Sequence, residues 1–202
     1  NVDNYLCYLV CGIIPWTFFT SVVTLGTSVI NNNKDLIKKV YFPREILPIS
    51  QAISGLINFF ISCSIIVIFC IGTGAGISFH IVLLPVIAII QFMLNLGIVF
   101  ILSALNVYIR DIAFAIQFII NLGFYASPII YPATLLPKGN ILTFLITINP
   151  ITILVNSYRD IFLNHRWPDF TSLGCVCLFS LGVLIIGYFI FKKLEKGFAE
   201  QF

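Results

Sequence analysis

Charge is what this sequence lacks. Only 9% of its 202 residues are Asp, Glu, Lys or Arg, while 59% are hydrophobic; soluble domains carry roughly a quarter charged. A soluble chain of this length could hide such an apolar surplus only by having almost no surface, whereas a bilayer accepts an apolar exterior. The net charge of +3 is small and confined to a few loops, which excludes nucleic acid as a partner. Histidine is scarce: His80 and His165 have no carboxylate cluster near them in sequence. There is no G-x-S-x-G and no G-x-x-x-x-G-K-[ST], so no catalytic set emerges and the chain itself is not expected to hold ATP. The six cysteines, Cys7, Cys11, Cys63, Cys70, Cys175 and Cys177, fall mostly inside apolar runs, where Cys acts as a small hydrophobe. Cys175-x-Cys177 is not a metal-ligand spacing, and no metal site is expected. The first residue is Asn1, and no basic stretch followed by a cleavable apolar run opens the chain; a missing upstream segment is expected.

What is abundant is long apolar runs. A span needs about 20 mostly apolar residues, and residues 9–30, 46–71, 81–105, 113–131 and 172–191 each qualify without a single Lys, Arg, Asp or Glu. Pro15, Pro48, Pro85 and Pro128 lie towards their ends, where a kink costs least. Residues 141–163 are apolar but cut by Asn149-Pro150, and they carry Arg159-Asp160, costly at membrane depth. This stretch is expected to form two half-helices that dip in from one side and return. Lys34, Lys38, Lys39, Arg44, Arg110, Lys192, Lys193 and Lys196 then share one side, which is cytoplasmic by the positive-inside rule; Lys138, Arg159 and Arg166 lie outside. The external region is 132–169.

Three segments invite functional readings. In the first loop, Asn31-Asn32-Asn33 can cap a short helix with Asp35 in its first turn. Leu36 and Val40 stand at i and i+4 beside Ile37 and Tyr41, Lys34, Lys38 and Lys39 take other faces, and Phe42-Pro43 ends the helix. This short amphipathic helix with Arg44-Glu45 suits a docking element better than a mere lipid anchor. The turn at 106–112 puts Arg110 at the membrane surface and Asp111 at the cap of the next span, leaving Asn106 and Tyr108 unexplained. In the fourth span Phe114, Phe118, Asn121 and Tyr125 share a helix face, bordered by Gln117 and Phe124. The first span offers Thr17, Ser21, Thr24 and Ser28 at the same spacing, with Trp16, Phe18 and Phe19 in its outer part. Each stripe alone is as well explained by packing. Together Trp16, Thr17, Ser21, Thr24, Phe114, Phe118, Asn121 and Tyr125 would make a path of ring faces, hydroxyls and amides, a surface on which sugars bind. No row of buried charge argues for proton coupling or a charged selectivity ring.

The segment Asp35-Leu36-Ile37-Lys38-Lys39-Val40-Tyr41-Phe42-Pro43-Arg44-Glu45-Ile46-Leu47-Pro48 resembles the loop of bacterial ABC-transporter permeases that export polysaccharide, the O-antigen and teichoic-acid class. Leu105 to Ile112 resembles that family's next cytoplasmic turn. Ser127, Pro128 and Tyr131, then Asn149, Pro150, Tyr158, Arg159 and Asp160, resemble its external re-entrant region, here a candidate outer gate. The tail from Phe191 to Glu200 is similar too. The resemblance runs through the whole chain. It implies an all-α polytopic membrane protein with a single permease domain, residues 1–202, and no enzyme activity of its own. Five of the family's six transmembrane helices are expected here, the first being absent, with two external re-entrant half-helices and a short cytoplasmic coupling helix formed by Leu36, Ile37, Lys38, Lys39, Val40 and Tyr41 with Arg44 and Glu45. It further implies a homodimer set in the lipid of the bacterial cytoplasmic membrane, the C-terminus inside. ATP and Mg would be held by a separate ATPase subunit, no cofactor by this chain, and the cargo would be a lipid-linked glycan. The alternatives are a permease of the same fold for a drug, haem or lipid, a membrane transferase, which would need a convergent acid or base that is absent, and a structural subunit without a path.

Overall fold

The computed structural model describes residues 5–40, 42–72, 76, 78–130, 146 and 148–198. Among these every regular element is helical: α1 (Tyr5–Asn32), α2 (Lys34–Lys39), α3 (Ile46–Gly72), a 3-10 turn (Phe79–Leu83), α4 (Leu84–Tyr108), α5 (Ile112–Ala126), α6 (Pro150–Phe162) and α7 (Phe170–Glu195). The chain is an all-α, polytopic membrane protein. α1, α3, α4 and α7 are long and apolar enough to cross a bilayer, and a helix satisfies its own backbone groups where no water can. α5, with 15 residues, is about 22 Å long, short of the roughly 30 Å hydrocarbon core. The expected fourth span reached residue 131, which lies outside the described residues, as do Tyr41 and most of the first expected half-helix before Asn149, of which only residues 146 and 148 are described, both helical.

The sequence explains the ends of these helices. Pro85 sits in the first turn of α4 and Pro150 opens α6, where a missing N–H costs no hydrogen bond. Asn149 caps α6 through Oδ1, which accepts from Ile151 N at 3.0 Å. Asp169 caps α7, accepting from Thr171 N at 3.1 Å and Ser172 Oγ at 2.6 Å; these bonds hold its carboxyl below the usual carboxylate range. Two expected caps differ. Asn33 precedes α2 without a side-chain cap bond; its Nδ2 donates back to Val29 O at 2.8 Å. Asp111 precedes α5, also without one. Pro15 is well inside α1 rather than near its end, and the buried Gln91 of α4 donates to its carbonyl at 2.8 Å.

α4 is the centre of the bundle, with α1 and α7 against it and α3 packed mainly on α1 while also touching α4. Glycines set these approaches. A Cβ on Gly26 would lie 2.6 Å from Val99, one on Gly55 would run into Val22, and Gly97 and Gly187 bring the α4 and α7 backbones together, the small-residue packing used when lipid supplies no drive for helices to associate. The outward faces stay apolar: Ile57, Ile61 and Ile68 on α3, and Leu178, Ile186 and Phe189 on α7, are all exposed, as lipid-facing residues are.

Candidate functional site

α1 and α5 face each other across an open groove of about 720 Å³, lined by Trp16, Ser21 and Thr24 on one side and Gln117, Asn121, Phe124 and Tyr125 on the other. Trp16 and Phe124 close its floor with ring centroids 5.9 Å apart, and Phe124 meets Tyr125 edge-on at 5.5 Å. Hydroxyl, amide and ring thus come together as expected, but the α5 face is rotated. At 100° per residue, Gln117 and Phe124 point into the groove with Asn121 and Tyr125 at its lip; Phe114 and Phe118 share the lip side of the helix but line no part of the groove, and are 76% and 65% exposed. Thr17 also departs from the expectation. It faces α3, lining a smaller recess with Ser21, Asn58 and Ser62, and donates to Ile13 O at 2.9 Å. Ser21 donates to Phe18 O at 3.2 Å, so its hydroxyl is left to act mainly as an acceptor. The periodicity identified which residues share a face; the rotation of that face depends on the partner helix.

At one end of the bundle the basic segments converge. Leu36 on α2 and Val40 just past its end are exposed, at 46% and 53%, and Lys34, Lys38 and Lys39 are exposed around them, as a docking element requires; the helix stops at Lys39 and Val40 is extended, one residue earlier than the expected Leu36–Val40 repeat needs. Arg44 and Glu45 do not form the rim of that surface. They turn towards the end of α7, 151 residues away. Arg44 N donates to Glu195 Oε1 at 3.3 Å and Arg44 Nη1 to Glu195 O at 2.6 Å, with the guanidinium 5.8 Å from the Phe198 ring centroid. Lys192 pairs with Glu45 and, at 3.1 Å, with Glu195. A cavity of about 620 Å³ opens between this cluster and Ile37, Val40 and Phe42. Asn106 and Tyr108 now have their explanation. Asn31 Nδ2 donates to Asn106 O at 2.8 Å and Asn106 Nδ2 to Thr27 O at 3.1 Å, while Tyr108 Oη donates to Leu194 O at 2.8 Å. The ends of α1 and α4, the segment at Arg44 and the α7 end form one hydrogen-bonded unit. Sequence reasoning missed Lys192, Glu195 and Phe198, whose one signal was the charged run that closes the last span.

At the opposite end Arg159 and Asp160 are both buried, and they do not pair with each other. Arg159 reaches back 30 residues, donating from Nη1 to Pro128 O at 2.8 Å and from Nη2 to Ile129 O at 2.7 Å, and stacks 3.7 Å over the Tyr8 ring. Gly12 leaves the room: a Cβ there would lie 2.6 Å from Arg159 Nη2. Burial lowers the Arg159 pKa, and interaction with Tyr8 opposes that shift. Asp160 instead accepts from Arg166 Nε at 2.7 Å and Asn164 Nδ2 at 2.8 Å. Asn149 Nδ2 donates to Ser127 Oγ at 3.3 Å, and the fully buried Tyr158 packs its ring 5.5 Å from Phe59. Ser127, Pro128, Asn149, Pro150, Tyr158 and Arg159 therefore form one assembly; Tyr131 is outside the described residues. α6, 13 residues long, is too short to cross, in keeping with the expected second half-helix.

The model of the ABC-2 type transporter family matches residues 2–163. Three curated relatives are each described as O-antigen export system permease protein RfbA. One, from Myxococcus xanthus, is 32% identical over 201 residues, covering 100% of this chain and 77% of the relative. Two from Klebsiella pneumoniae are 31% and 30% identical, each covering 99% of this chain and 76% of the relative.

Proposed function

The chain belongs to the ABC-2 type transporter family, and from that premise we propose that it is the transmembrane subunit of an ATP-driven exporter that moves a lipid-linked polysaccharide outward across the bacterial cytoplasmic membrane. The observation that carries this reading is the α1–α5 groove, where Trp16, Phe124 and Tyr125 offer ring faces and Ser21, Thr24, Gln117 and Asn121 offer hydrogen-bonding groups, with no charged side chain among them. Such a surface suits an uncharged, hydroxyl-rich polymer that must slide, since each stacking contact is modest and is replaced by the next. The names of the three relatives support the same cargo class.

In this reading the chain works as a homodimer beside two copies of an ATPase subunit, which hold ATP and Mg. The basic end, with α2 and the α7 terminus, is cytoplasmic, and the Arg159 assembly is the outer gate. Leu36, Ile37 and Val40 dock α2 on the ATPase, while Arg44 passes its motion to Glu195 and so to α7. Replacing Arg44 by Glu sets two negative groups against each other at Glu195 and is expected to uncouple ATP hydrolysis from export. A cysteine at position 196, in a background without the six native cysteines, should be shielded from membrane-impermeant maleimide in intact cells; labelling there overturns the orientation.

The test of cargo is deletion in the native host. Surface glycan should disappear, its lipid-linked precursor should accumulate on the inner leaflet, and the unmodified chain should restore export while Trp16→Ala with Tyr125→Ala restores little. Normal surface glycan in the deletion strain, with loss of drug, haem or lipid efflux instead, would replace this reading with the other permease.

A further inference from the structure

On the part of α1 that precedes the groove, three thiols on two helices meet. Cys7 and Cys11 stand at i and i+4 on the first turns of α1, on one helix face, and Cys70 comes from the last turn of α3. All three are buried, at 0%, 0% and 2% exposure, and their sulfurs lie within 4.8 Å of one another, Cys7 and Cys70 being 3.0 Å apart. Spacing alone pointed away from a metal site here, because the third thiol lies 59 residues beyond the second. We propose that Cys7, Cys11 and Cys70 form a three-coordinate site for a soft monovalent cation, Cu(I), that fastens the outer ends of α1 and α3.

The geometry selects the ion. Metal–sulfur bonds of about 2.3 Å in a trigonal plane place the sulfurs about 4.0 Å apart, inside the range the three thiols already span. His165 is close enough to act on Cys70, but among the described residues no carboxylate or imidazole lies within reach of all three sulfurs. Zn(II) takes four ligands in structural sites, whereas a trio of soft donors suits Cu(I). Charge selects it as well. One Cu(I) replacing the protons of two thiols gives a complex of charge −1 and releases two protons to solvent, with the third thiol a neutral donor and no change of oxidation state. Nearby, the buried Arg159 guanidinium lies against Gly12, the residue after Cys11, where its positive charge would offset that of the complex. Occupancy would join α1 and α3 beside the end of α6, whose Phe162 carbonyl lies 3.9 Å from Cys70 Sγ.

The test is a titration of the untagged full chain, purified in detergent under reducing, oxygen-free conditions, with Cu(I) alone against the chromophoric chelator bathocuproine disulfonate. The unmodified chain should withhold one equivalent. Cys7→Ser, Cys11→Ser and Cys70→Ser should each weaken binding about 100-fold, while Cys63→Ser and Cys175→Ser leave it unchanged. X-ray absorption of the loaded unmodified chain should give three sulfur neighbours, a readout independent of whether any variant folds. Failure to withhold an equivalent, retention of it in Cys70→Ser or Cys11→Ser, two sulfur neighbours instead of three, or a Cys7–Cys70 disulfide in chain isolated without reductant would each overturn the site.

Discussion

α4 and α5 are neighbours in sequence, joined by residues 109–111, and they sit in opposite surroundings. α4 buries fifteen residues and touches α7 backbone to backbone at Gly97 and Gly187. α5 buries one of its described side chains, Ile120, and faces α1 across a cavity of about 720 Å³. Both helices are apolar, so hydropathy does not separate them; packing does. Interiors packed to crystal-like density move as one body, which makes α1, α3, α4 and α7 a frame. α5, with few interior contacts, is the wall free to change its distance from that frame. The proposed transport path needs both, and in it the lip residues Asn121 and Tyr125 belong to the wall.

The largest contrast should come from ring deletions. Phe59 is 2% exposed, stacked 4.9 Å from Phe18 and 5.5 Å from Tyr158. Phe59→Ala should cost about 3 kcal/mol of stability, in the range for large aromatic truncations in cores. Tyr125→Ala and Phe118→Ala should each cost below about 0.5 kcal/mol, as exposed sites do. Export should then divide the latter pair: Tyr125→Ala slows it severalfold, whereas Phe118→Ala, outside the groove, leaves it near the unmodified rate. Thermal midpoints in one detergent and glycan export in cells measure the two quantities. Equal slowing at both positions would mean that the path uses the predicted stripe and not the rotated face.

Next in size is the outer clamp. Arg159→Met keeps much of the side-chain volume but leaves the carbonyls of Pro128 and Ile129 without their donor, at an expected cost of about 2 kcal/mol. Arg159→Lys keeps the charge and loses the two-pronged geometry, so its midpoint should fall between. Arg166→Ala, on an ion pair whose arginine is 68% exposed, should change stability little. If Arg159→Met melts like the unmodified protein, the clamp does not hold the outer turn.

The spans were legible because a charge-free run of twenty residues has few fates other than a membrane. α2 was legible in place but not in length: the expected Leu36–Val40 repeat ran on towards Pro43, whereas the helix ends at Lys39 with Val40 extended. What could not be read is whatever depends on a distant partner. Glu195 lies 151 residues from Arg44, Pro128 lies 31 from Arg159, and Thr17 and Phe118 left the expected path because a stripe fixes a face without fixing its neighbour. Composition likewise cannot tell a glycine that admits another backbone from one that faces lipid.

That distinction supplies the finer tests, all Gly→Ala. At Gly97 a Cβ would meet the backbone of Leu184 at 2.7 Å, and at Gly187 it would strike the Gly97 carbonyl, whereas at Gly174 and Gly182 nothing lies within 4 Å. Backbone cannot step aside as a side-chain tip can, so Gly97→Ala and Gly187→Ala should each cost about 2 kcal/mol. Gly174→Ala and Gly182→Ala should be neutral or gain up to about 1 kcal/mol from helix propensity. A similar midpoint for all four would mean that α4 and α7 are not in backbone contact.

The smallest expected effect is the one that probes the wall itself. A Cβ on Gly123 would stand 3.3 Å from Trp16 Cη2, a few tenths of an ångström too close, and the neighbour is the far end of an indole that borders open space. If α5 is loosely held, the ring yields, the propensity gain of Ala over Gly in a helix offsets the crowding, and Gly123→Ala changes stability by less than about 0.5 kcal/mol. The same methyl group at Gly187 has only backbone to push against. Measured side by side in one detergent, the two substitutions compare a yielding contact with an unyielding one at constant chemistry. A Gly123→Ala loss as large as that of Gly187→Ala would show α5 to be clamped against α1 as firmly as α7 is against α4, and the moving wall would have to be sought elsewhere.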